Sequence, residues 1–125
     1  MKTANEMIAA AKARIPNLNP DQVAREIEAG ALIVDVREPQ ERKQAIIAGS
    51  ISAPRGMLEF FADPTLPYHK KEFAADRHII LHCAGGGRSA LAADTLKQMG
   101  YTNVSHLDGG MKAWQDAGKP TTTGE

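Results

Sequence analysis

The sequence predicts an α/β protein with an open parallel five-stranded sheet flanked by helices on both faces. Apolar runs alternate along the chain with segments of helical periodicity, and the connections between them are short. Residues 31–36 form a nearly continuous apolar run, which is typical of a parallel strand covered on both faces. Further strands are expected at residues 50–53, 78–82 and 104–107.

The length and charge of the chain limit the classes of function. It has 125 residues, enough for one domain with a substantial core, and fifteen acidic side chains balance fifteen basic ones. This balance gives no electrostatic preference for nucleic acid or for an anionic membrane, so neither is expected as a partner. Because a single cysteine cannot form an internal disulfide and residues 1–13 lack the apolar core of a secretion signal, we expect a cytoplasmic location.

Three segments are expected along the chain. Residues 1–17 form an amino-terminal helical extension, residues 18–118 form the domain, and residues 119–125, rich in Gly, Pro and Thr, form a flexible tail. Apolar residues recur at helical spacing before Pro16, which predicts an amphipathic helix over residues 4–14. We expect this helix to pack on its own domain, with binding of a partner as the alternative.

The other helices carry recognisable end signals. Asn19 can cap a helix that has Pro20 at its first position and stops at Gly30. A short helix begins at Glu38 and Pro39 and runs through Gln44. Its charged residues are expected to form a solvated face: Glu41, Arg42 and Lys43. Later helices are expected at residues 57–61, at residues 90–99 and after Gly110.

The only cysteine, Cys83, lies at the turn between a predicted strand and a predicted helix. The glycines at 85–87 have no Cβ, so the backbone can adopt positive φ and point successive N–H groups into one concavity that binds anions. The amino end of the following helix and the cation of Arg88 favour negative charge at the same place. Because a thiol there should ionise easily and the thiolate is the nucleophile, Cys83 is interpreted as catalytic rather than structural.

Polar residues also lie near the other predicted strands. Asp35 and Arg37 fall at the carboxyl end of the strand at 31–36, where open α/β sheets place ligand sites. The histidines do not predict a metal site, because His78 and His82 would lie about 13 Å apart along a strand. Neighbouring side chains on a strand point to opposite faces, so His82 is expected to be structural rather than the base for Cys83. No metal and no cofactor are expected.

Four segments in order carry a resemblance to a known family. They read VDVREP at 34–39, PRG at 54–56, CAGGGRS at 83–89 and LDGGMKAW at 107–114. Together they resemble the single-domain rhodaneses, the thiosulfate sulfurtransferases, and the resemblance covers residues 18–117. It implies the rhodanese-like fold and an activity in which Cys83 takes a sulfur from a donor as a persulfide and passes it to an acceptor.

The resemblance implies roles for individual residues of this chain. Asp35 and Arg37 match a strand-end motif that braces the loop, and Arg55 is a further candidate for the pocket. In place of the family's usual GHIPGA, residues 45–50 read AIIAGS, so a local change in packing is expected. The substrate-binding residues implied are those of the cysteine loop: Ala84, Gly85, Gly86, Gly87, Arg88 and Ser89.

Two classes of function remain after this reading. The first is a sulfurtransferase that takes a small sulfur donor such as thiosulfate and delivers sulfur to cyanide or to a thiol, including a protein thiol. The second is a non-catalytic or sulfur-relay module that docks a protein partner through residues 60–73 or through the first helix. Phosphatases and arsenate reductases of this fold have five residues between cysteine and arginine, whereas four separate Cys83 from Arg88, which favours sulfur transfer.

Overall fold

The computed structural model describes residues 1–124, which form one sheet with helices on both faces. The strands are β1 (Asn17–Leu18), β2 (Leu32–Asp35), β3 (Ile51–Ser52), β4 (Ile79–His82) and β5 (Val104–Leu107). The helices are α1 (Ala4–Arg14), α2 (Pro20–Glu28), α3 (Pro39–Gln44), α4 (Leu58–Ala62), α5 (Gly87–Gln98) and α6 (Gly110–Asp116). None of the helices in these residues is long and apolar enough to cross a membrane.

The sheet has the strand order β1-β5-β4-β2-β3, and every pair of neighbours is parallel. This arrangement confirms the predicted open parallel five-stranded sheet. Because β4 is central, its carboxyl end lies between those of β2 and β5, and the register places Asp35 beside His82. The sequence does not locate β1, since two residues are too few to show a period.

The core lies on both faces of the sheet, as the unbroken apolar runs predicted. Leu81 belongs to a cluster with α5, which contributes Leu96. Ile80, the adjacent residue on the same strand, belongs to the opposite cluster, which contains Trp114 of α6 and Val23 of α2. Successive side chains of a strand point to opposite faces, so β4 is buried on both sides and its end is held in a fixed position.

The ends of the helices are fixed by local hydrogen bonds. Asn19 caps α2, because its side chain accepts from Gln22 N at 2.8 Å while the Gln22 side chain accepts from Asn19 N at 2.8 Å. Helix α5 begins at Gly87, three residues before the predicted start, after Gly86 in a left-handed conformation with φ +106°. Glycine has a low helix propensity, which conceals this first turn in the sequence. Arg88 therefore lies within the helix.

Helix α1 packs against α5. Arg14 donates two hydrogen bonds to the Asp94 carboxylate, at 2.8 and 2.6 Å, and Lys97 donates to Arg14 O at 2.8 Å. A Cβ on Gly87 would lie 3.1 Å from Ile8 Cδ1, so α1 also covers the start of α5. The amino-terminal helix therefore contacts its own domain beside the cysteine loop.

The expectation of a solvated face on α3 is wrong for Arg42. Its side chain is only 3% exposed and donates to Asp35 Oδ2 and to Ser50 Oγ, both at 3.1 Å. A helix of six residues turns less than twice, so its charge pattern does not show which side faces the sheet. The buried Asp35 carboxylate supplies the counter-charge that offsets part of the cost of burying this guanidinium.

The segment predicted as a tail makes contacts with the domain. Thr122 and Ile46 exchange two backbone hydrogen bonds of 2.9 Å, and Trp114 Nε1 donates to Pro120 O at 2.8 Å. Lys119 pairs with Asp21 at 2.6 Å. The segment is therefore held through Thr122, and the last residue of the predicted tail, at position 125, lies outside the described residues.

The aromatic residues after α4 divide into exposed and buried ones. Phe60 and Tyr68 are 46% and 59% exposed and contact each other edge to face, with ring centroids 6.4 Å apart. Phe73 is buried, and Tyr101 donates from its hydroxyl to Ala62 O at 2.6 Å. The segment is thus anchored near Phe73 and presents Phe60 and Tyr68 to solvent.

Candidate functional site

Cys83 follows β4 directly and is 1% exposed. Its Sγ accepts hydrogen bonds from Gly86 N at 3.1 Å and from Ser89 N at 3.4 Å, and it lies 3.5 Å from Ser89 Oγ. The loop therefore directs two backbone amides at a single sulfur atom, beside the Ser89 hydroxyl. Such an arrangement stabilises negative charge on sulfur.

The amino end of α6 holds the other side of the cysteine loop. Met111 N donates to Cys83 O at 2.8 Å, and Lys112 N donates to Ala84 O at 3.2 Å. Gly110 has φ +62°, and a Cβ there would lie 2.5 Å from Cys83 O, so the close approach requires glycine. Because α6 binds the loop carbonyls, the loop amides are left to face the sulfur.

The guanidinium of Arg88 is paired with a carboxylate. Its Nη1 and Nη2 donate to Glu41 Oε1 and Oε2 at 2.8 and 3.0 Å. The hydrogen bond from Arg88 lowers the pKa of Glu41 from 4.5 to about 2 and raises that of Arg88, so both groups are charged at neutral pH. Glu41, expected on a solvated face, is 33% exposed, and it also holds the cation of the loop.

Asp35 lies fully buried at the carboxyl end of β2. It accepts from the backbone and guanidinium of Arg37, with Arg37 Nη2 at 3.0 Å from Oδ2, and from Arg42 Nη1 at 3.1 Å. Burial alone would raise the pKa of Asp35, but the hydrogen bonds from Arg37 and the nearby positive charge hold it below its ordinary value. Asp35 is thus an anionic support and not a proton donor.

Asp35 and Arg37 reach the cysteine loop through α3. Arg37 Nη2 donates to Ala45 O at 2.7 Å, and Arg37 Nη1 lies 3.5 Å from Glu41 O. These bonds fix both ends of the segment that carries Glu41, which in turn binds Arg88. The structure therefore connects the predicted residues Asp35, Arg37 and Arg88 through Glu41. The sequence position of Glu41 could have indicated this role, because Glu41 lies in the first turn of α3, and α3 starts beside the predicted site residues Asp35 and Arg37.

Two buried histidines flank the loop. His82 Nδ1 lies 3.4 Å from Cys83 O and its Nε2 lies 3.7 Å from Asp35 Oδ2, while burial lowers its pKa. It contacts the backbone of Cys83, as suits a structural residue. His106 Nδ1 lies 2.9 Å from Ser89 Oγ, and burial lowers its pKa to about 4. No local sequence pattern predicts the contact of His106 with Ser89. Residues 1–124 contain no group of three or more side chains that could hold a metal ion.

The hydrogen-bond partners of Arg55 lie outside the cysteine loop. Its Nη1 donates to Glu59 at 2.9 Å and its Nη2 donates to Thr95 Oγ1 at 3.1 Å. Through these two hydrogen bonds Arg55 joins α4 to α5. The loop residues Ala84 and Gly85 are exposed, whereas Gly86 and Ser89 are buried beside the sulfur.

Comparisons with known proteins agree with this geometry. A model of the rhodanese-like domain family matches residues 19–117. A thiosulfate sulfurtransferase from the chloroplast of Arabidopsis thaliana is 34% identical, and the match covers 90% of this chain and 98% of that protein. The thiosulfate sulfurtransferase GlpE of Pseudomonas paraeruginosa is 32% identical, with 85% of this chain and 90% of that protein covered.

A solved structure is similar over nearly the whole chain. It is a protein of unknown function from Rhodopseudomonas palustris, described as a possible tyrosine phosphatase, with 40% identity and a TM-score of 0.91. The match covers 98% of this chain and 96% of that one. Since the family model spans most of the chain and the parallel sheet places Cys83 in an amide-lined loop, this protein belongs to the rhodanese-like domain family.

Proposed function

We propose that this protein is a sulfurtransferase that carries a sulfane sulfur as a persulfide on Cys83. The observation that carries the proposal is the pair of backbone amides, Gly86 N and Ser89 N, directed at Cys83 Sγ. Sulfur transfer needs a site where negative charge stays on sulfur through the cycle, as thiolate and then as persulfide. The same assignment is supported by relatives that are named sulfurtransferases and that match this chain over most of their own length.

The reaction takes place in two halves. The thiolate of Cys83, once its proton has left, attacks the outer sulfur of thiosulfate or a similar donor. A bond forms between Sγ and that sulfur, the S–S bond of the donor breaks, and sulfite leaves with the bonding electron pair. A cyanide ion or a thiolate then attacks the terminal sulfur, and Cys83 leaves as thiolate. The products are thiocyanate or a persulfide of the acceptor.

Arg88 is the residue that attracts an anionic donor in this proposal. Its side chain is 39% exposed although it is bound to Glu41, so solvent reaches the guanidinium. A donor dianion competes with Glu41 for it, and the strength of that ion pair sets how readily thiosulfate binds. The substrate roles of Ala84, Gly85, Gly86 and Gly87 follow from the same loop, whose backbone faces the incoming sulfur.

Phosphatase activity is the second candidate, because of the description of the Rhodopseudomonas palustris protein. Phosphate ester hydrolysis requires a general acid for the leaving group. The two carboxylates connected to this site, Glu41 and Asp35, are unsuited to act as that general acid. The hydrogen bond from Arg88 lowers the pKa of Glu41 to about 2. Asp35 is held ionised between two guanidinium groups. The charge state of both carboxylates favours sulfur transfer.

The proposal is tested by intact-protein mass spectrometry with and without thiosulfate. We expect a gain of one sulfur, about 32 Da, that is reversed by cyanide or a thiol. Cys83→Ser is the control, and it should show no adduct while keeping the circular dichroism spectrum of the parent protein. Hydrolysis of p-nitrophenyl phosphate, lost in Cys83→Ser, together with no sulfur adduct, would favour the phosphatase instead.

A further inference from the structure

A chain of three polar side chains leads away from the sulfur into the protein. Ser89 Oγ lies 3.5 Å from Cys83 Sγ, His106 Nδ1 lies 2.9 Å from Ser89 Oγ, and Asn17 Oδ1 lies 2.7 Å from His106 Nε2. The register of β1 against β5 pairs Asn17 with His106, which brings residues 89 positions apart into contact. The proposed sulfur transfer assigns no role to His106 or Asn17.

Asn17 fixes which ring nitrogen of His106 carries the proton. The Asn17 amide nitrogen donates to Lys12 O at 3.0 Å and to Ile15 O at 3.1 Å, and both carbonyls can only accept. Asn17 Oδ1 must therefore face His106, and because it too only accepts, Nε2 carries a hydrogen. Since burial keeps the ring of His106 neutral at pH 7, Nδ1 has a free lone pair.

The direction of the Ser89 hydroxyl follows from that lone pair. Ser89 has one hydroxyl hydrogen, and the neutral Nδ1 of His106 at 2.9 Å is a better-placed acceptor than Gly86 O at 3.3 Å. With its hydrogen directed at His106, Ser89 Oγ offers a lone pair to the thiol hydrogen of Cys83. A thiolate needs the opposite arrangement, in which Ser89 donates to sulfur and the buried Nδ1 is left without a partner.

We propose that His106, oriented by Asn17, is a positioning residue that directs the Ser89 hydroxyl hydrogen away from Cys83 and so limits the thiolate fraction of the resting protein. The inference rests on the proposed function in one respect, that the thiolate is the nucleophile. A resting thiol is also oxidised less readily than a thiolate. The uncharged hydrogen-bonded residues Asn17, His106 and Ser89 thus oppose the effect of the loop amides, which favour the ionised sulfur.

Two charged side chains act on the ring of His106. The negative charge of Asp108 acts to raise the pKa of His106 and the positive charge of Lys12 acts to lower it, and the two side chains pair with each other at 3.3 Å. Their effects on the ring therefore oppose one another. Arg88 is 39% exposed and is paired with Glu41, and neither group is hydrogen-bonded to His106.

The test measures alkylation of Cys83 by iodoacetamide, a neutral reagent that reacts with the thiolate. Because Cys83 is the only cysteine, the rate reports on this residue alone. At about pH 6, where the thiol form dominates in ordinary cysteines, Asn17→Ala and His106→Leu should react about fivefold faster. That factor corresponds to one neutral hydrogen bond of about 1 kcal/mol no longer competing for the Ser89 hydrogen.

Ser89→Ala supplies the matched control. In a Ser89→Ala background neither replacement should change the alkylation rate, because no hydroxyl remains to be directed. An effect that persists without Ser89, or unchanged rates in the single variants, would overturn the proposal. Slower alkylation would also overturn it, since it would mean that His106 accepts the thiol proton as a base.

A second measurement needs no substitution. Ring ¹⁵N shifts of histidine-labelled protein identify which nitrogen of His106 is protonated, and we expect Nε2–H with an unprotonated Nδ1 at pH 7. A protonated Nδ1 contradicts the proposal. Alkylation requires no sulfur transfer, so the two proposals are tested separately. A missing persulfide adduct would contradict the proposed sulfur transfer. An unchanged alkylation rate in the variants would contradict only the proposed role of His106.

Discussion

The cysteine loop is held between two polar networks of opposite character. We call the first the charged network (Asp35, Arg37, Glu41, Arg42 and Arg88) and the second the neutral network (Asn17, Ser89 and His106). The charged network joins β2 and α3 to the loop by ion pairs, whereas the neutral network joins β1 and β5 to it by hydrogen bonds between uncharged groups. The first positions a cation beside the sulfur, and the second decides where a hydrogen points.

The two networks differ in how a polar group is kept buried at this site. Asp35 can be fully buried because two guanidinium groups neutralise it, and burial makes those pairs costly to break. His106 can be fully buried because it stays neutral, so it remains a usable hydrogen-bond acceptor. The comparison predicts that the two networks respond differently to loss of charge and to acid.

The largest expected effect comes from removing the charge at the centre of the charged network. Asp35→Asn keeps the shape but leaves two buried guanidinium groups beside a neutral amide, and should lower the free energy of unfolding by about 3–5 kcal/mol. Urea denaturation measures the loss. Asp116→Asn, which breaks only the exposed pair with Lys112, is the control and should leave the midpoint unchanged. Equal losses in both variants would refute a special role for burial.

Acid should act on the neutral network at a higher pH than on the charged one. The pKa of His106 is about 4 in the folded protein against an ordinary 6.5, so between these values the unfolded chain binds a proton that the folded protein does not. Stability therefore falls as the pH is lowered from 6.5 to 4, by up to about 3 kcal/mol.

His106→Leu checks that assignment. Its stability should fall less steeply over the same pH range in parallel urea titrations, because the group that the unfolded state protonates is gone. His82, which is also buried, remains in both proteins, so the difference between the two curves isolates His106. Parallel curves for the two proteins would place the acid sensitivity elsewhere.

The smallest expected effect concerns the ion pair at the solvent side of the charged network. Glu41→Gln weakens the competition for Arg88, so the KM for thiosulfate should fall by about twofold to fivefold with kcat nearly unchanged, as suits a half-exposed pair. Steady-state kinetics measure both constants. Glu38→Gln removes a neighbouring exposed charge and should leave the KM unaltered. A lower kcat with constant KM would instead assign Glu41 to loop structure.

The elements were predictable wherever a local pattern carried them. Apolar residues at helical spacing predicted α1 at residues 4–14, and a short last strand was predicted at residues 104–107. Both agree with the observed bounds of α1 and β5, and Asn19 with Pro20 predicted the start of α2. The cysteine turn was predictable because glycines, a cation and a helix follow one another within seven residues. These features are short-range, so the sequence alone contains them.

The rest depended on tertiary contacts that no local pattern shows. The burial of Arg42 follows from the position of Asp35 seven residues earlier, and a helix of less than two turns shows no clear face. The contact of Asn17 with His106 requires β1 to lie beside β5, and a two-residue strand gives no sign of its neighbour. Both networks are thus products of topology rather than of local pattern.

The loop binds sulfur with main-chain groups, and this determines which positions tolerate substitution. Every chain position supplies an N–H whatever its side chain, except proline, so the anion cradle does not depend on the side chains at 84 and 85. A Cβ on Gly85 meets no atom within 4 Å, whereas one on Gly110 meets Cys83 O at 2.5 Å. Substitutions at the exposed positions 84 and 85 can therefore leave the amides that face Cys83 Sγ in place, whereas α6 allows no such change at Gly110.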